Sequence, residues 1–585
     1  MRGRGTRPFP GSSSHRELRV RRRSGVGRGN FRRGPQVTLW LVLDNSFPFT
    51  LPRFFLRPWD ALGVIPHVDR HGMVCFADPE GLVIDRHRPV QIIHEAFERV
   101  VQVLIDGIMG RNRADFADEF EAYWRQLPRI IKGDSVLDSA DEVTRVVIAT
   151  DAAKEHITVA GSERDIVAFY NGNGIGEKTI LQKALYLPLE AGIPLLPPRH
   201  DGPFWSVKDA RRTLLAALSK ANRTQLKKLL KRPAHKREYV IVKLPRPSGG
   251  STLFGIQYDV VGRHHPLHKD GIASRLVPIE IQRLDRGYLV QRGGGAAALG
   301  AKRVLLVGCG AVGGHLAFDL ARAGILHLTL VDHDTLTPEN SFRHVLGRRY
   351  WQKGKVAALK DEIESELPYV QVTALFNTIE KVLAEGLIKL SDYDLLVLAL
   401  GNPTVELEIN AQVHTLPDSP AVVFTWLEPL GIGGHALLTR NAPGGGCLEC
   451  LYTSPEGNEE LRRNRAAFAA PGQSFGKALS GCGSLYTPYG AIDAARTATI
   501  AARLAVDALI GKERGNPLLS WKGDATDFRR EGFHLSPRFR ATEDDLSRYQ
   551  YAYQCTQCRI CNAQRKKFHD GRKVGIQSPN IRLCS

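Results

Sequence analysis

The sequence predicts an α/β protein: a Rossmann-like unit in the C-terminal half, preceded by a smaller unit of strands followed by a helix. Three observations carry this. The run Arg303-Val-Leu-Leu-Val-Gly-Cys-Gly-Ala-Val-Gly-Gly-His reads as a buried strand passing through a Gly-x-Gly-x-x-Gly turn into a helix. A second apolar strand, Leu328–Val331, ends on Asp332, nineteen residues beyond Gly313, which is the spacing of a nucleotide-binding βαβ unit. Upstream, residues 37–76 alternate short apolar runs with Pro and Gly turns. Residues 89–108 then place Val90, Ile93, Phe97, Val100, Val101, Leu104 and Ile105 at helical spacing.

Composition bounds the rest. The chain has 585 residues, 43% hydrophobic and 24% charged, which is ordinary globular usage. The strictly apolar runs, such as Leu395–Leu400, fall far short of the roughly 20 residues of a spanning helix. No signal peptide is expected, because Val37–Leu43 is too short for a secretory core. The net charge is +19, and more than half of the excess lies in residues 1–33, which hold eleven Arg and one Glu. That stretch is Gly/Arg/Ser-rich and aperiodic, so residues 1–35 are expected to be a disordered tail. A second cluster (Lys220, Arg223, Lys227, Lys228, Lys231, Arg232, Lys236, Arg237) reads as a solvated helix face. Nucleic acid and membrane are therefore not the expected partners. The nine Cys are odd in number and include two Cys-x-x-Cys pairs, which suits a reducing cytoplasm with metal ligands or reactive thiols.

In chain order the sequence divides into the tail (1–35), the strand-and-helix unit (36–150) and an intermediate region (151–290). The intermediate region mixes strands, the basic helix and Pro-rich turns in no assignable fold. Gly293–Gly300 reads as a connector. The nucleotide-binding unit spans 291–525, and a polar C-terminal segment (526–585) carries a Cys-x-x-Cys-x-x-Cys cluster.

The chemistry starts at the glycines. Gly308, Gly310 and Gly313 permit a tight turn and close backbone approach to phosphate, the helix N-terminus behind them offers free N–H groups, and Asp332 is placed for ribose hydroxyls. Taken alone this means a nucleotide, with NAD the default. Arg343 and Lys355 change the balance. They supply more positive charge than hydride transfer requires, and they suit a triphosphate whose α-phosphate is attacked by a carboxylate.

Over about residues 295–510 this pattern resembles the ThiF/MoeB and ubiquitin-activating-enzyme superfamily, in which an aspartate, an asparagine, an arginine and a lysine follow the Gly-rich turn in this order. The resemblance maps them onto Asp332, Asn340, Arg343 and Lys355. It implies binding of ATP with Mg²⁺ and adenylation of a C-terminal carboxylate of a protein. One departure stands out: the aspartate that usually helps to hold Mg²⁺ is replaced by Gly401 in Ala399-Leu-Gly-Asn-Pro403. Asp334 is the substitute offered by the sequence.

Cys482 lies between glycines in Gly481-Cys-Gly-Ser-Leu-Tyr-Thr-Pro-Tyr-Gly490, just before an Ala-rich helix, which implies an exposed loop. In activating enzymes of the superfamily a loop here carries the cysteine that takes the acyl group from the adenylate, so the resemblance makes Cys482 the first acyl acceptor. Two knuckles, Cys447-x-x-Cys450 and Cys555-x-x-Cys558-x-x-Cys561, have the spacing of a structural zinc site. ThiF/MoeB-like proteins often carry one, and Cys447, Cys450, Cys558 and Cys561 are the chosen ligands. Cys555 with Cys558 fits the spacing equally well.

The segment Phe47-Pro-Phe-Thr-Leu-Pro-Arg-Phe-Phe-Leu … Ile65-Pro-His-Val-Asp-Arg-His-Gly-Met-Val-Cys-Phe76 is similar to a ubiquitin-conjugating (UBC) fold, an α+β domain, over about residues 37–145. The resemblance makes Cys75 the second acyl acceptor, fed by thioester exchange. The usual His-Pro-Asn triplet reads His67-Val68-Asp69, and an ionised Asp69 would repel an oxyanion. His67 and His71 are the candidate donors.

Together the two halves resemble bacterial fused activating and conjugating proteins of CBASS-type antiphage operons. That implies a protein donor, either a cyclic-nucleotide synthase or a ubiquitin-like protein, a homodimer, and the sequence adenylate, thioester, second thioester, amide. Three other readings fit parts of the chain: a sulfur-carrier adenylyltransferase, an NAD(P)-dependent oxidoreductase, and a nucleotide-binding adaptor without turnover.

Overall fold

The computed structural model describes residues 15–18, 37–78, 80–138, 140–151, 156–170, 180–192, 195, 204–441, 445–454, 463–478, 485–486, 488–547 and 553–562. The chain folds as two units, Met1–Val167 with Gly174–Asp285, and Ala168–Asn173 with Arg286–Ser585.

The first unit begins with an antiparallel sheet of β1 (His15–Leu18), β2 (Thr38–Val42) and β3 (Arg53–Arg57), in that order. Leu39, Leu41, Phe54 and Leu56 alternate into a core closed by Ala96, Val100 and Leu104 of the helix Pro89–Met109. Pro89 opens that helix and Gly110, in the left-handed region at φ 69°, ends it. The helix lies where its periodicity predicts, but its buried stripe is Ile92, Ala96, Val100 and Leu104, and Val90 is exposed. The segment 1–35, expected to be a disordered tail, contributes β1, which pairs from His15↔Val42 to Leu18↔Leu39. Composition weighs side chains, whereas β1 is recruited through the backbone groups of the β2 edge.

Seven strands follow: β4 (Ile131–Ser135), β5 (Arg145–Asp151), β6 (His156–Ala160), β7 (Ile180–Pro188), β8 (Arg237–Pro245), β9 (Ser251–Val261) and β10 (Ile272–Arg283). They close into a barrel in the order β10-β4-β6-β5-β7-β8-β9. This is the fold of the intermediate region, and it starts near residue 131, so β4 and β5 lie within the span 36–150 that sequence reading grouped with the preceding unit. Trp124 ties the short helix Phe120–Arg125 to the barrel by donating its indole N–H to the Ile279 carbonyl at 2.9 Å. The basic helix Lys220–Leu229, capped by Ser219, buries Leu226 in the same core as Leu214, Val240 and Phe254, and turns its lysines outward.

The second unit is a seven-stranded sheet of β11 (Arg303–Val307), β12 (His327–Val331), β13 (Gln371–Leu375), β14 (Leu395–Leu398), β15 (Ala421–Leu427), β16 (Gly433–Thr439) and β19 (Leu518–Lys522). Between β16 and β19, a two-residue pair, β17 (Lys477–Ala478) and β18 (Leu485–Tyr486), runs antiparallel. The sheet order is β13-β12-β11-β14-β15-β16-β19, parallel through β15 and antiparallel beyond it. Strands β12 and β14 flank β11, so sheet growth reverses there, and a crevice opens at the carboxyl ends of the strands. One face is covered by the helices Ala311–Arg322, Lys355–Glu366 and Ala491–Leu509. On the other face Ile409, Val413 and Leu448 share a core with Tyr553, Cys555, Cys558 and Cys561, so the described end of the chain is packed into the domain. Among the described residues no helix is long and apolar enough to cross a membrane.

Candidate functional site

The crevice is a cleft of about 750 Å³ lined by Gly308, Gly310, Asp332, Arg343 and Lys355 together with residues of the β14–helix turn and of β15. Its floor is built by close approach. Gly308 has φ +88°, and a Cβ there would lie 2.5 Å from the Ala399 carbonyl oxygen. A Cβ on Gly313 would meet the Gly308 carbonyl oxygen at 1.8 Å. Both positions require glycine, one for backbone angle and space and the other for space. Asp332 braces the turn from the next strand, its Oδ2 accepting the Cys309 N–H at 2.6 Å and its Oδ1 the Asp334 N–H at 2.8 Å. From behind, the buried His344 sets its Nε2 2.9 Å from the Cys309 carbonyl oxygen, while its Nδ1 accepts the Leu346 N–H at 3.0 Å; the second bond makes Nε2 the donor. Cys309 itself is fully buried, and burial first, then the Asp332 charge, pushes its thiol well up, so it packs and does not react.

The cations line the same cleft. Lys355 opens its helix and reaches Asp334 Oδ2 at 2.7 Å. Burial raises the Asp334 carboxyl, but the Lys355 ammonium and its hydrogen bond outweigh that and lower it. The Arg343 guanidinium lies over the Tyr489 ring, 5.4 Å from its centroid. Asn340 is not among the lining residues; it accepts the Thr337 N–H through Oδ1 at 3.2 Å and so closes the turn Pro338–Asn340.

Several cleft residues carry no sequence signal. Glu428 is buried, its Oε1 meeting His435 Nε2 at 3.0 Å and accepting the Phe468 N–H at 3.1 Å, and its Oε2 accepting the Ala469 N–H at 3.3 Å. This fastens the segment through Phe468 to the end of β15. Tyr489, Trp426, Tyr452, Asn464 and Glu406 also line the cleft. They come from segments far apart in sequence and from no motif, so only the fold assembles them.

Away from the cleft, the Sγ atoms of Cys447, Cys450, Cys558 and Cys561 lie within 4.8 Å of one another, with separations of 3.7, 3.6 and 3.5 Å for Cys447–Cys558, Cys450–Cys561 and Cys447–Cys561. A tetrahedron of thiolates around zinc, with Zn–S ~2.3 Å, has edges of about 3.8 Å. Cys555 is buried nearby and is outside the group. Cys482 lies outside the described residues; the strands β17 and β18 on either side of it are paired.

In the first unit Cys75 is exposed, and its N–H donates to the His67 carbonyl at 2.8 Å across a turn bridged by Val68 and Val74. Asp69 is spent inside that turn, its Oδ1 accepting the His71 and Met73 N–H groups at 2.8 Å each. His67, in the left-handed region at φ 66°, has both ring nitrogens engaged, Nε2 with Asp115 at 2.9 Å and Nδ1 with Glu119 at 2.6 Å. The Glu119 hydrogen bond and then the Asp115 bond, against the penalty of burial, raise its pKa to about 9. His67 is therefore an imidazolium clamped between two carboxylates, and not an oxyanion donor as its position suggests. Partial burial, then Glu119 and Asp78, push the Cys75 thiol up.

The sheet order, the glycine-floored cleft and the separate cysteine-bearing domain define the class: an E1-like ThiF domain fused behind an E2-like domain. Residues 286–520 match the ThiF family, and residues 13–129 match Prokaryotic E2 family B. The chain is 25% identical over 494 residues to the ATP-dependent ubiquitin transferase-like protein Cap2 of Pseudomonas aeruginosa, covering 80% of this chain and 84% of that protein. It is 21% identical over 520 residues to the protein of the same name from Vibrio cholerae, covering 82% and 86%. Among solved structures it is similar to E. coli MccB with ATP, at 16% identity over 47% of this chain and 70% of that one, with a TM-score of 0.32.

The His67 clamp sets a pH dependence. A histidine whose folded pKa is raised from 6.5 to about 9 contributes stability that is fully present below the unfolded value and is lost as pH rises through about 9. Thermal unfolding of the N-terminal unit should therefore move to lower temperature between pH 6.5 and 9.5, and His67→Gln should flatten that slope. An imidazole of His67 that titrates near 6.5 by NMR contradicts the clamp.

Proposed function

We propose that this protein adenylates the C-terminal carboxylate of a protein donor with ATP, relays the acyl group through Cys482 and then Cys75, and conjugates it to an amine, in antiphage defence. The observation that carries the reading is the cleft in which Gly308, Gly310, Asp332, Arg343 and Lys355 converge within a chain whose other unit exposes Cys75. The names of the Cap2 relatives agree with an ATP-dependent transferase.

In this scheme the donor carboxylate oxygen attacks the α-phosphorus, the bond to the β-phosphate breaks, and pyrophosphate leaves. Lys355 and Arg343 neutralise the charge gathering on the phosphate oxygens. Backbone N–H groups at the start of the helix Ala311–Arg322 hold the phosphates, and Asp332 takes the ribose. Mg²⁺, when bound with the nucleotide, supplies further neutralisation at the phosphates, and carboxylates of the cleft would hold it. The Cys482 thiolate then attacks the acyl carbon and AMP leaves. The Cys75 thiolate displaces Cys482, and an amine finally displaces Cys75 to give the amide. The donor class is a cyclic-nucleotide synthase or a ubiquitin-like protein. The adenylation domains pair as a homodimer, the enzyme works in the cytoplasm, and the four converging cysteines hold a structural zinc whose role is to anchor residues 553–562 to the sheet.

Pyrophosphate exchange into ATP should depend on the donor protein and fall by roughly 10²–10³ in Lys355→Ala, the loss typical of removing one electrostatic stabiliser; tight NAD binding without ATP binding overturns the assignment. Cys482→Ala should abolish every thioester and leave pyrophosphate exchange intact, whereas Cys75→Ala should leave one reductant-sensitive thioester and block amide formation. Normal conjugation by Cys75→Ala would reduce the first unit to a docking module. Metal analysis should find about one zinc per chain, and Cys450→Ser should lower both zinc content and melting temperature, because binding free energy at such a site is folding free energy.

A further inference from the structure

The turn after β14 presents Gly401 where the cleft would meet a metal–nucleotide, so position 401 offers no ligand. Five carboxylates line the cleft: Asp332, Asp334, Glu380, Glu406 and Glu428. Three of them are engaged by partners within the protein. Both oxygens of Asp332 accept backbone N–H groups. Asp334 is paired with Lys355. Both oxygens of Glu428 are taken by His435, Phe468 and Ala469. Glu380 sits exposed at the start of the helix Ile379–Ala384.

Glu406 differs from all of these. It lies in the first turn of the helix Pro403–Thr415, five residues after Gly401, and is 4% exposed. Its Oε1 is fully buried without a hydrogen-bond partner. Burial lifts its pKa to about 7, against backbone hydrogen bonds from Gly401 and Leu400 that pull the other way. An oxygen left in this condition costs free energy unless a cation or donor completes it. Oε1 has no such partner in the protein, and the side chain lines a cleft floored and walled for a triphosphate.

We propose that Glu406 is the carboxylate that meets the divalent cation of the bound nucleotide, in place of the side chain missing at position 401. The inference rests on reading the cleft as an ATP site. The cation satisfies the orphaned oxygen, and the helix Pro403–Thr415 carries the ligand that the preceding turn lacks.

The test is direct titration of the full-length protein with a fluorescent ATP analogue, once in EDTA and once in excess Mg²⁺, with the ratio of the two affinities as the readout. The wild type should bind more tightly with Mg²⁺. Glu406→Gln should keep the EDTA affinity within about twofold and lose at least about tenfold of the Mg²⁺ enhancement, the scale on which metal sites respond to loss of a supporting group. Glu406→Asp, which keeps the charge, should lose less. Electron paramagnetic resonance of Mn²⁺ with ATP present should show weaker Mn²⁺ binding in Glu406→Gln. An unchanged enhancement in Glu406→Gln overturns the proposal, as does an equal loss of affinity in EDTA and Mg²⁺, which marks a brace of the turn only. Loss of the enhancement in Asp334→Asn with its retention in Glu406→Gln assigns the cation to Asp334 instead. If the Gln variant does not fold, Glu406→Asp decides: a reduced enhancement supports the proposal and a full one overturns it. A wild type that binds ATP in neither condition removes the adenylation reading first.

Discussion

The second unit depends on a contact that admits no side chain. Gly308 turns through a left-handed conformation with its backbone against the Ala399 carbonyl, and Gly313, in the first turn of its helix, lies against the Gly308 carbonyl. These two approaches bring β11, β14 and the helix Ala311–Arg322 together at the point where sheet order reverses. Asp332 and His344 then fix the Cys309 peptide from both ends, one accepting its N–H and the other donating to its carbonyl. A loop held at both ends is prepared to present backbone N–H groups to phosphate without reordering when ligand arrives. The cations Lys355 and Arg343 are likewise held by protein partners, one by Asp334 and one over Tyr489. An incoming triphosphate would exchange these partners for its own oxygens.

The legible part of this site is local. The Gly-rich turn, the strand that ends on Asp332, and Arg343 and Lys355 within a short stretch after it are all read from residues close in sequence, where spacing implies geometry. Cys447, Cys450, Cys558 and Cys561 are legible by a weaker route: pair spacing shows that each knuckle can bind, but only the fold separates Cys561 from Cys555. The barrel of β4 to β10 was not legible as a whole, because its consecutive antiparallel pairs, such as β8 with β9, are joined into a closed sheet by parallel pairings of β4 with β6, β4 with β10 and β7 with β8, which leave no hairpin signature. Strand β1 was masked by its composition. Glu428 with His435, and Tyr489 beneath Arg343, were invisible because each is a contact between distant segments, and a single sequence carries no record of such pairs.

The His67 clamp reverses a positional expectation for a physical reason. A histidine just before the thiol suggests a donor to a developing oxyanion. Two carboxylates, Asp115 and Glu119, sit against the ring, and both ring protons serve them. Giving one up would leave a half-buried anion unpaired, a loss larger than a hydrogen bond to a transient oxyanion returns. The ring therefore fastens the short helices Asp115–Asp118 and Phe120–Arg125 to the turn that carries Cys75. Tyr123 adds to this by donating its hydroxyl proton to the Ile65 carbonyl or to Glu119.

The same acids shape what the thiol does. Glu119 and Asp78 together with burial hold the Cys75 thiol above its ordinary pKa. A more basic thiol is a poorer leaving group, and acyl exchange between thiols favours the thioester of the more basic one. In the proposed relay the Cys75 thiolate would be a less ready leaving group, which slows loss of its thioester to water. The negative field that discourages thiolate also discourages hydroxide, while it attracts an ammonium-bearing acceptor. Such an acceptor must lose a proton before its nitrogen can attack, and Asp115 and Glu119, already bridged by a charged imidazole, are poor bases for that step. Under the proposed relay, the arrangement would favour an acceptor by charge more than it would activate one by proton transfer.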